Sequence, residues 1–185
     1  RIIPFSFLFS FIKKFWKPKR GSFLYKKIRF WDPFKVLIRK KCEFKLFFKG
    51  KIERTIFWHG LKGAKEKKSI ELWIKLMLKS NVVFDVGANS GIYSLISATS
   101  NKRSMVYAFE PNKKIIQLLK DNIEVNRLKK RVKIVSKAIS NKKSITEIDN
   151  YINSGESFLS ETISLDDYVE ENSIRSLDLI KIDVE

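Results

Sequence analysis

The segment "NVVFDVGANSG", residues 81–91, constrains this chain more than any other stretch. Val82 to Val86 form a short β-branched and aromatic run, apolar except for Asp85. Such a run suits a strand buried on both faces, as in a parallel sheet. Glycines and an asparagine follow, and then Ile92, Leu95, Ile96 and Thr99 recur at helical spacing directly after Gly91. A strand that turns through glycines into a helix presents backbone N–H groups at the carboxyl end of the sheet, where open α/β sheets hold ligands.

The same alternation continues downstream. "SMVYAFE" reads as a second strand ended by Glu110-Pro111, with Pro111 expected in the first turn of the next helix. Ile115, Leu118, Leu119 and Ile123 carry that helix inward, "VKIVSKAIS" is a third strand and "LDLIKIDV" a fourth. Short apolar strands alternating with amphipathic helices predict a parallel sheet with crossover helices. Between strands three and four, "KKSITEIDNYINSGES" reads as a polar excursion with a short edge strand, and its "NSGES" loop is expected as a polar connection, with a cover for the ligand as the alternative. In "ISLDDYVEE", Ser164 and Asp167 have the spacing of a capping box, so Asp166 and Asp167 are expected as helix-start acids.

Upstream, "CEFKLFFKGKIERTIFWHG" has two β-prone runs around Lys49-Gly50 and predicts a hairpin turning there. Ile70, Trp73, Ile74 and Met77 then predict an amphipathic helix. The expected organisation is a basic, aromatic arm over 1–40, a hairpin and helix over 41–80, and the α/β domain over 81–185.

The net charge of +18 is concentrated at one end: residues 1–68 hold 21 Lys and Arg against four acids, and the remainder is nearly neutral. The basic character therefore belongs to the arm rather than to the ligand turn. In that arm the apolar run Ile2 to Ile12 is too short by itself to span a bilayer and is followed by lysines, which suits an interfacial segment, the end of a membrane anchor if residues precede Arg1, or equally an arm packed on its own domain or on a partner. A single cysteine, Cys42, excludes an internal disulfide and fits a reducing compartment. The expected location is the cytoplasm, at the membrane surface if the arm engages lipid.

The turn also selects its ligand. A dinucleotide turn needs G-x-G-x-x-G, but the second and third glycine positions here are Asn89 and Ile92, and no Gly-Lys-Ser/Thr phosphate loop is present. Asp85, inside the strand end, would repel a polyphosphate and favour an ammonium group. Backbone N–H groups around Asn89 to Gly91 suit a carboxylate. Glu110 lies 23 residues after Gly87, at the end of the next strand, where an acid can accept ribose hydroxyls. An amino acid joined to adenosine has all three parts, and S-adenosylmethionine is such a molecule.

At this point four segments in order and spacing, "FDVGANSGIYSL", "AFEPN", "ISLDDYV" and "LIKIDVE", resemble the FkbM family of S-adenosylmethionine-dependent methyltransferases. The resemblance implies a Rossmann-like class I methyltransferase sheet, incomplete here at strands 1–4 of seven in the order 3-2-1-4. A fragment of that kind is expected to be marginally stable and inactive alone. It also implies O-methylation of a hydroxyl on a carbohydrate, glycolipid or related small molecule. The cofactor-binding residues are then Asp85, Gly87, Ala88, Asn89, Gly91, Glu110 and Ala138, the last following strand three where adenine lies in such folds.

Asp183 and Glu185 alternate at the end of strand four and share a face, as base and orienter for the acceptor hydroxyl. Asp183 is also the candidate ligand of a divalent cation that would acidify that hydroxyl. His59, the only histidine, is a further candidate base. Two other readings compete: an RNA methyltransferase using the basic arm, and a non-catalytic remnant that binds a membrane or a partner.

Overall fold

The computed structural model describes residues 5–40, 42–64, 66–149 and 156–184. The chain divides into two compact units, Arg1–Leu72 and Trp73–Glu185.

The N-terminal unit contains α1 (Phe5–Phe15), α2 (Phe23–Lys27), β1 (Phe34–Arg39), β2 (Cys42–Leu46) and α3 (Lys51–His59). Phe34 pairs with Leu46 and Val36 with Phe44 in an antiparallel hairpin, and all four are buried. The hairpin thus turns between Arg39 and Cys42, not at Lys49-Gly50 as the sequence suggested, and the second β-prone run is helix α3. Tertiary packing explains the difference. Glu53, Ile56 and Phe57, at i, i+3 and i+4, are buried on one face of α3, and this burial outweighs the strand preference of Ile52, Thr55 and Ile56. Phe30 from the arm packs on Phe48 and Phe57 at ring-centroid distances of 4.5 and 4.9 Å, so arm, hairpin and helix share one aromatic core.

The unit boundary falls inside α4 (Lys67–Leu76). Beyond it come β3 (Val82–Val86), α5 (Ile92–Ser100), β4 (Met105–Phe109), α6 (Lys113–Val125), β5 (Val132–Val135), β6 (Ala138–Ile139), β7 (Ser144–Asp149), β8 (Ser157–Ile163), α7 (Leu165–Glu171) and β9 (Leu179–Ile182). The main sheet has the order β5-β4-β3-β9, and every pairing in it is parallel. This is the incomplete Rossmann-like sheet expected from the sequence, with its 3-2-1-4 order.

Three local readings are corrected. The expected third strand is divided: Val132–Val135 joins the main sheet, while Ala138–Ile139 pairs with β8. The polar excursion does hold an edge strand, β7, but β8 begins at its last residue, and the two pair antiparallel in a second sheet of order β6-β8-β7. Its solvent-facing residues gave little apolar alternation to read. Pro111 precedes α6 instead of starting it, because Asn112 supplies the cap, its Oδ1 accepting the Lys114 N–H at 3.0 Å. Ser164 does cap α7, its Oγ accepting the Asp167 N–H at 3.0 Å. The "NSGES" loop lies outside the described residues except for Glu156 and Ser157.

One face of the main sheet is covered by α7 through Tyr168, whose ring meets Phe84, Tyr107 and Phe109 edge-on at 5.9, 5.8 and 4.9 Å. Burial, and then Tyr107, push its phenol up to about 12. Tyr168→Ala is therefore expected to cost about 3 to 5 kcal/mol of stability in urea unfolding, and Tyr168→Phe less than about 1.5 kcal/mol. Equal losses in the two variants would show that the ring packing does not hold α7.

Candidate functional site

β3 delivers the chain into the turn Gly87-Ala88-Asn89-Ser90-Gly91, and two contacts fold that turn over the end of β4. The N–H groups of Gly87 and Ala88 both donate to the Phe109 carbonyl, at 3.0 and 2.9 Å. Gly87 has φ +74°, and a Cβ there would lie 2.0 Å from the Asp183 carbonyl oxygen, so only glycine lets the chain after β9 run beside the turn. Gly91 caps α5 at φ +88°, and a Cβ there would press on the Leu119 side chain at 2.4 Å. Asn89 takes the left-handed conformation without being glycine, at φ +51°, and its Oδ1 accepts the Ser90 N–H.

Glu110 joins this turn to the next. Its Oε2 accepts the Asn89 N–H at 2.8 Å and its Oε1 the Asn112 N–H at 3.0 Å. The residue is buried, and this burial raises its pKa against the opposing effect of those two N–H donors. The carboxylate therefore sits at the end of β4 with lone pairs left for a hydroxyl donor.

Asp85 is fully buried. Its Oδ2 accepts from the Ser94 N–H and hydroxyl, at 2.9 and 2.7 Å, which ties β3 to the first turn of α5. Among the described residues its Oδ1 has no hydrogen-bond partner, but it lies 3.8 Å from Lys181 Nζ. Lys181 is the register partner of Asp85 across the β3–β9 pairing, and its ammonium also donates to the Gly87 carbonyl and lies 3.3 Å from Asp183. Burial raises the Asp85 pKa, with Lys181 and then Ser94 acting the other way.

Lys181 and Ser94 were missed in the sequence. The readable signal was a lysine inside "LIKI", since a charge within a parallel strand needs a partner on its neighbour. With Lys181 in place, the chain itself supplies a cation beside Asp85, where the sequence suggested a ligand's ammonium.

Beside the turn lies a cavity of about 550 Å³, within the usual size range of small-molecule sites. Val86, Gly87 and Phe109 line it from the sheet end, and Ala138, Ile139 and Ile148 from the second sheet. The structure thus brings Asp85, Gly87, Ala88, Asn89, Gly91 and Glu110 together at one sheet end and sets Ala138 in the adjoining cavity wall.

Asp183 also reaches this end. Its N–H donates to the Val86 carbonyl at 3.1 Å, and its side chain is 60% exposed. Glu185 lies outside the described residues. His59 belongs to the N-terminal unit, at the end of α3, where its ring stacks 6.2 Å from Tyr25. Burial, followed by Arg20 and Lys17, lowers its pKa and favours the neutral ring. Among the described residues no group of three or more His, Cys, Asp or Glu could hold a metal ion.

The model of the methyltransferase FkbM domain matches residues 85–185, more than half of the chain. The chain belongs to the FkbM methyltransferase family. Its matched region begins at the buried Asp85 and takes in the turn, Glu110, the second sheet and β9. No curated protein sequence matches the chain.

Solved methyltransferases resemble this FkbM chain over part of their length. A putative caffeoyl-CoA O-methyltransferase from Staphylococcus aureus is 23% identical over 37% of this chain and 34% of its own, with a TM-score of 0.35. An S-adenosylmethionine-dependent methyltransferase from Agrobacterium tumefaciens is 16% identical over 60% of this chain and 34% of its own, with a TM-score of 0.42. The METTL16 methyltransferase domain is 25% identical over 35% of this chain and 28% of its own, with a TM-score of 0.31. The chain spans about a third of the length of these structures.

Proposed function

We propose that the protein is an S-adenosylmethionine-dependent O-methyltransferase acting on a hydroxyl of a carbohydrate, glycolipid or related small molecule. The observation that carries this reading is Glu110, a buried carboxylate at the end of the second parallel strand, bonded to the glycine turn beside a 550 Å³ cavity. The residues fit the cofactor in three places. Glu110 offers its remaining lone pairs to ribose hydroxyls. The apolar walls at Ala138, Ile139 and Ile148 suit adenine. The turn from Gly87 to Gly91, held by Asp85 through Ser94 and α5, meets the amino-acid end.

When bound, that cofactor supplies an electrophilic methyl group. The chain's own residues then align an acceptor oxygen and remove its proton. Asp183, exposed and held by Lys181, is the proposed base. Glu185 and His59 are further proposals for the same proton, and a divalent cation at Asp183 is an alternative way to acidify the hydroxyl.

Calorimetry tests the cofactor assignment. S-adenosylmethionine is expected to bind in preference to a nicotinamide dinucleotide, and Glu110→Ala to weaken it about 10- to 100-fold, the worth of hydrogen bonds to a charged group. Glu110→Gln, which keeps one acceptor oxygen, is expected to lose less. Preference for the dinucleotide, or unchanged affinity in a folded Glu110→Ala protein, would refute the reading. Methyl transfer to a glycolipid hydroxyl rather than to RNA would identify the acceptor class.

A further inference from the structure

We infer that α1 docks the protein on an anionic lipid surface. The helix buries a mixed face, with Phe9 stacking on Phe30 at 5.9 Å beside Ser6 and Lys13, and leaves its other aromatics outward, unlike an ordinary surface helix, whose apolar residues face the core. Its inward contacts include polar ones: the Ser6 N–H and hydroxyl donate to Asp32, and Lys13 donates to the Phe57 carbonyl at 3.1 Å while lying over the Phe57 ring. Its outward face is Phe7, Leu8, Phe11 and Phe15, with the phenylalanines 67, 56 and 79% exposed. Phe7, Phe11 and Phe15 follow at i, i+4 and i+8, one stripe along the helix.

Charge identifies what covers that stripe. No acid occurs before Asp32, and Asp32 is taken by Ser6. Lys14, Lys17, Lys19 and Arg20 follow at the end of the helix, and all are exposed. Trp31, 92% exposed, adds an aromatic of the kind favoured at membrane interfaces. Apolar side chains along the helix and cations at its end match the layers of an anionic bilayer: acyl boundary for the stripe, headgroups for the lysines. A second copy of the chain would instead bring two sets of uncompensated lysines together. Among the described residues no helix is long and apolar enough to cross a membrane.

Vesicle flotation of the whole chain tests this docking. Binding is expected to vesicles of equimolar phosphatidylglycerol and phosphatidylcholine, and to be much weaker with phosphatidylcholine alone. Phe7→Ser/Phe11→Ser/Phe15→Ser is expected to lower partitioning at least about tenfold through lost apolar burial. Lys14→Glu/Lys17→Glu/Lys19→Glu is expected to lower it at least about tenfold through lost headgroup attraction. Brominated lipid is expected to quench tryptophan fluorescence in the unaltered protein, a readout that needs no variant to fold. Equal binding to neutral vesicles, unchanged flotation of both variants, or no quenching would overturn the inference. So would a dimer abolished by the phenylalanine changes, or oligonucleotide binding stronger than vesicle binding.

Discussion

Gly87→Ala is expected to lower the stability of the C-terminal unit by at least about 3 kcal/mol and to remove S-adenosylmethionine binding with it. Two costs combine. At φ +74° an alanine accepts a left-handed backbone, worth about 1 to 2 kcal/mol. Its methyl carbon would also lie 2.0 Å from the Asp183 carbonyl, a backbone atom that cannot swing aside like a side-chain end. Relief requires the end of β9 to part from β3, where Val86 pairs with Ile182. Gly91→Ala is the internal comparison, because its added carbon meets the terminal methyl of Leu119, which can rotate away. Urea unfolding of the two variants should show Gly87→Ala as clearly the worse. Equal, small losses would mean that β9 does not press on the turn.

The same geometry explains what was legible in the sequence. The turn could be read because its requirements are local: a buried strand, φ above zero at Gly87 and Gly91, and a helix at fixed spacing. The order of the main sheet followed from strand and helix alternation, which topology leaves few ways to arrange. Helix α3 could not be read locally, since Ile52, Thr55, Ile56 and Phe57 favour strands and only the aromatic core makes them helical. Strands β7 and β8 hold few buried residues, so their pairing left a weak pattern. Lys181 was visible as a residue but not as a partner. Its meaning depends on the register that sets it beside Asp85, 96 residues earlier.

That register carries the second large effect. Asp85→Ala is expected to cost about 2 to 4 kcal/mol, because it leaves the two buried Ser94 donors without their acceptor and the Lys181 ammonium, 14% exposed, with only the exposed Asp183 as counter-charge. Replacing both partners, as Asp85→Asn with Lys181→Met, is expected to recover much of that loss, since a buried pair contributes little beyond its own desolvation. The pH dependence has a definite sign. Burial raises the Asp85 pKa above its ordinary 3.8, so over an acid range the folded protein keeps a proton that the unfolded chain has released. The contribution of Asp85 is therefore most favourable below 3.8 and falls as the pH rises through the folded value. Glu110 acts in the same direction above 4.5. Asp178 acts in the opposite one: it accepts the Val82 and Asn81 N–H groups, which lower its pKa, so its contribution is present above 3.8 and is lost as the pH falls through the folded value. Asp85→Asn should remove only the first of these three, flattening the decline in stability above 3.8 and leaving the acid loss from Asp178 in place. Urea titrations across the acid range measure this directly, and parallel profiles for the parent and Asp85→Asn would show that Asp85 carries no burial cost.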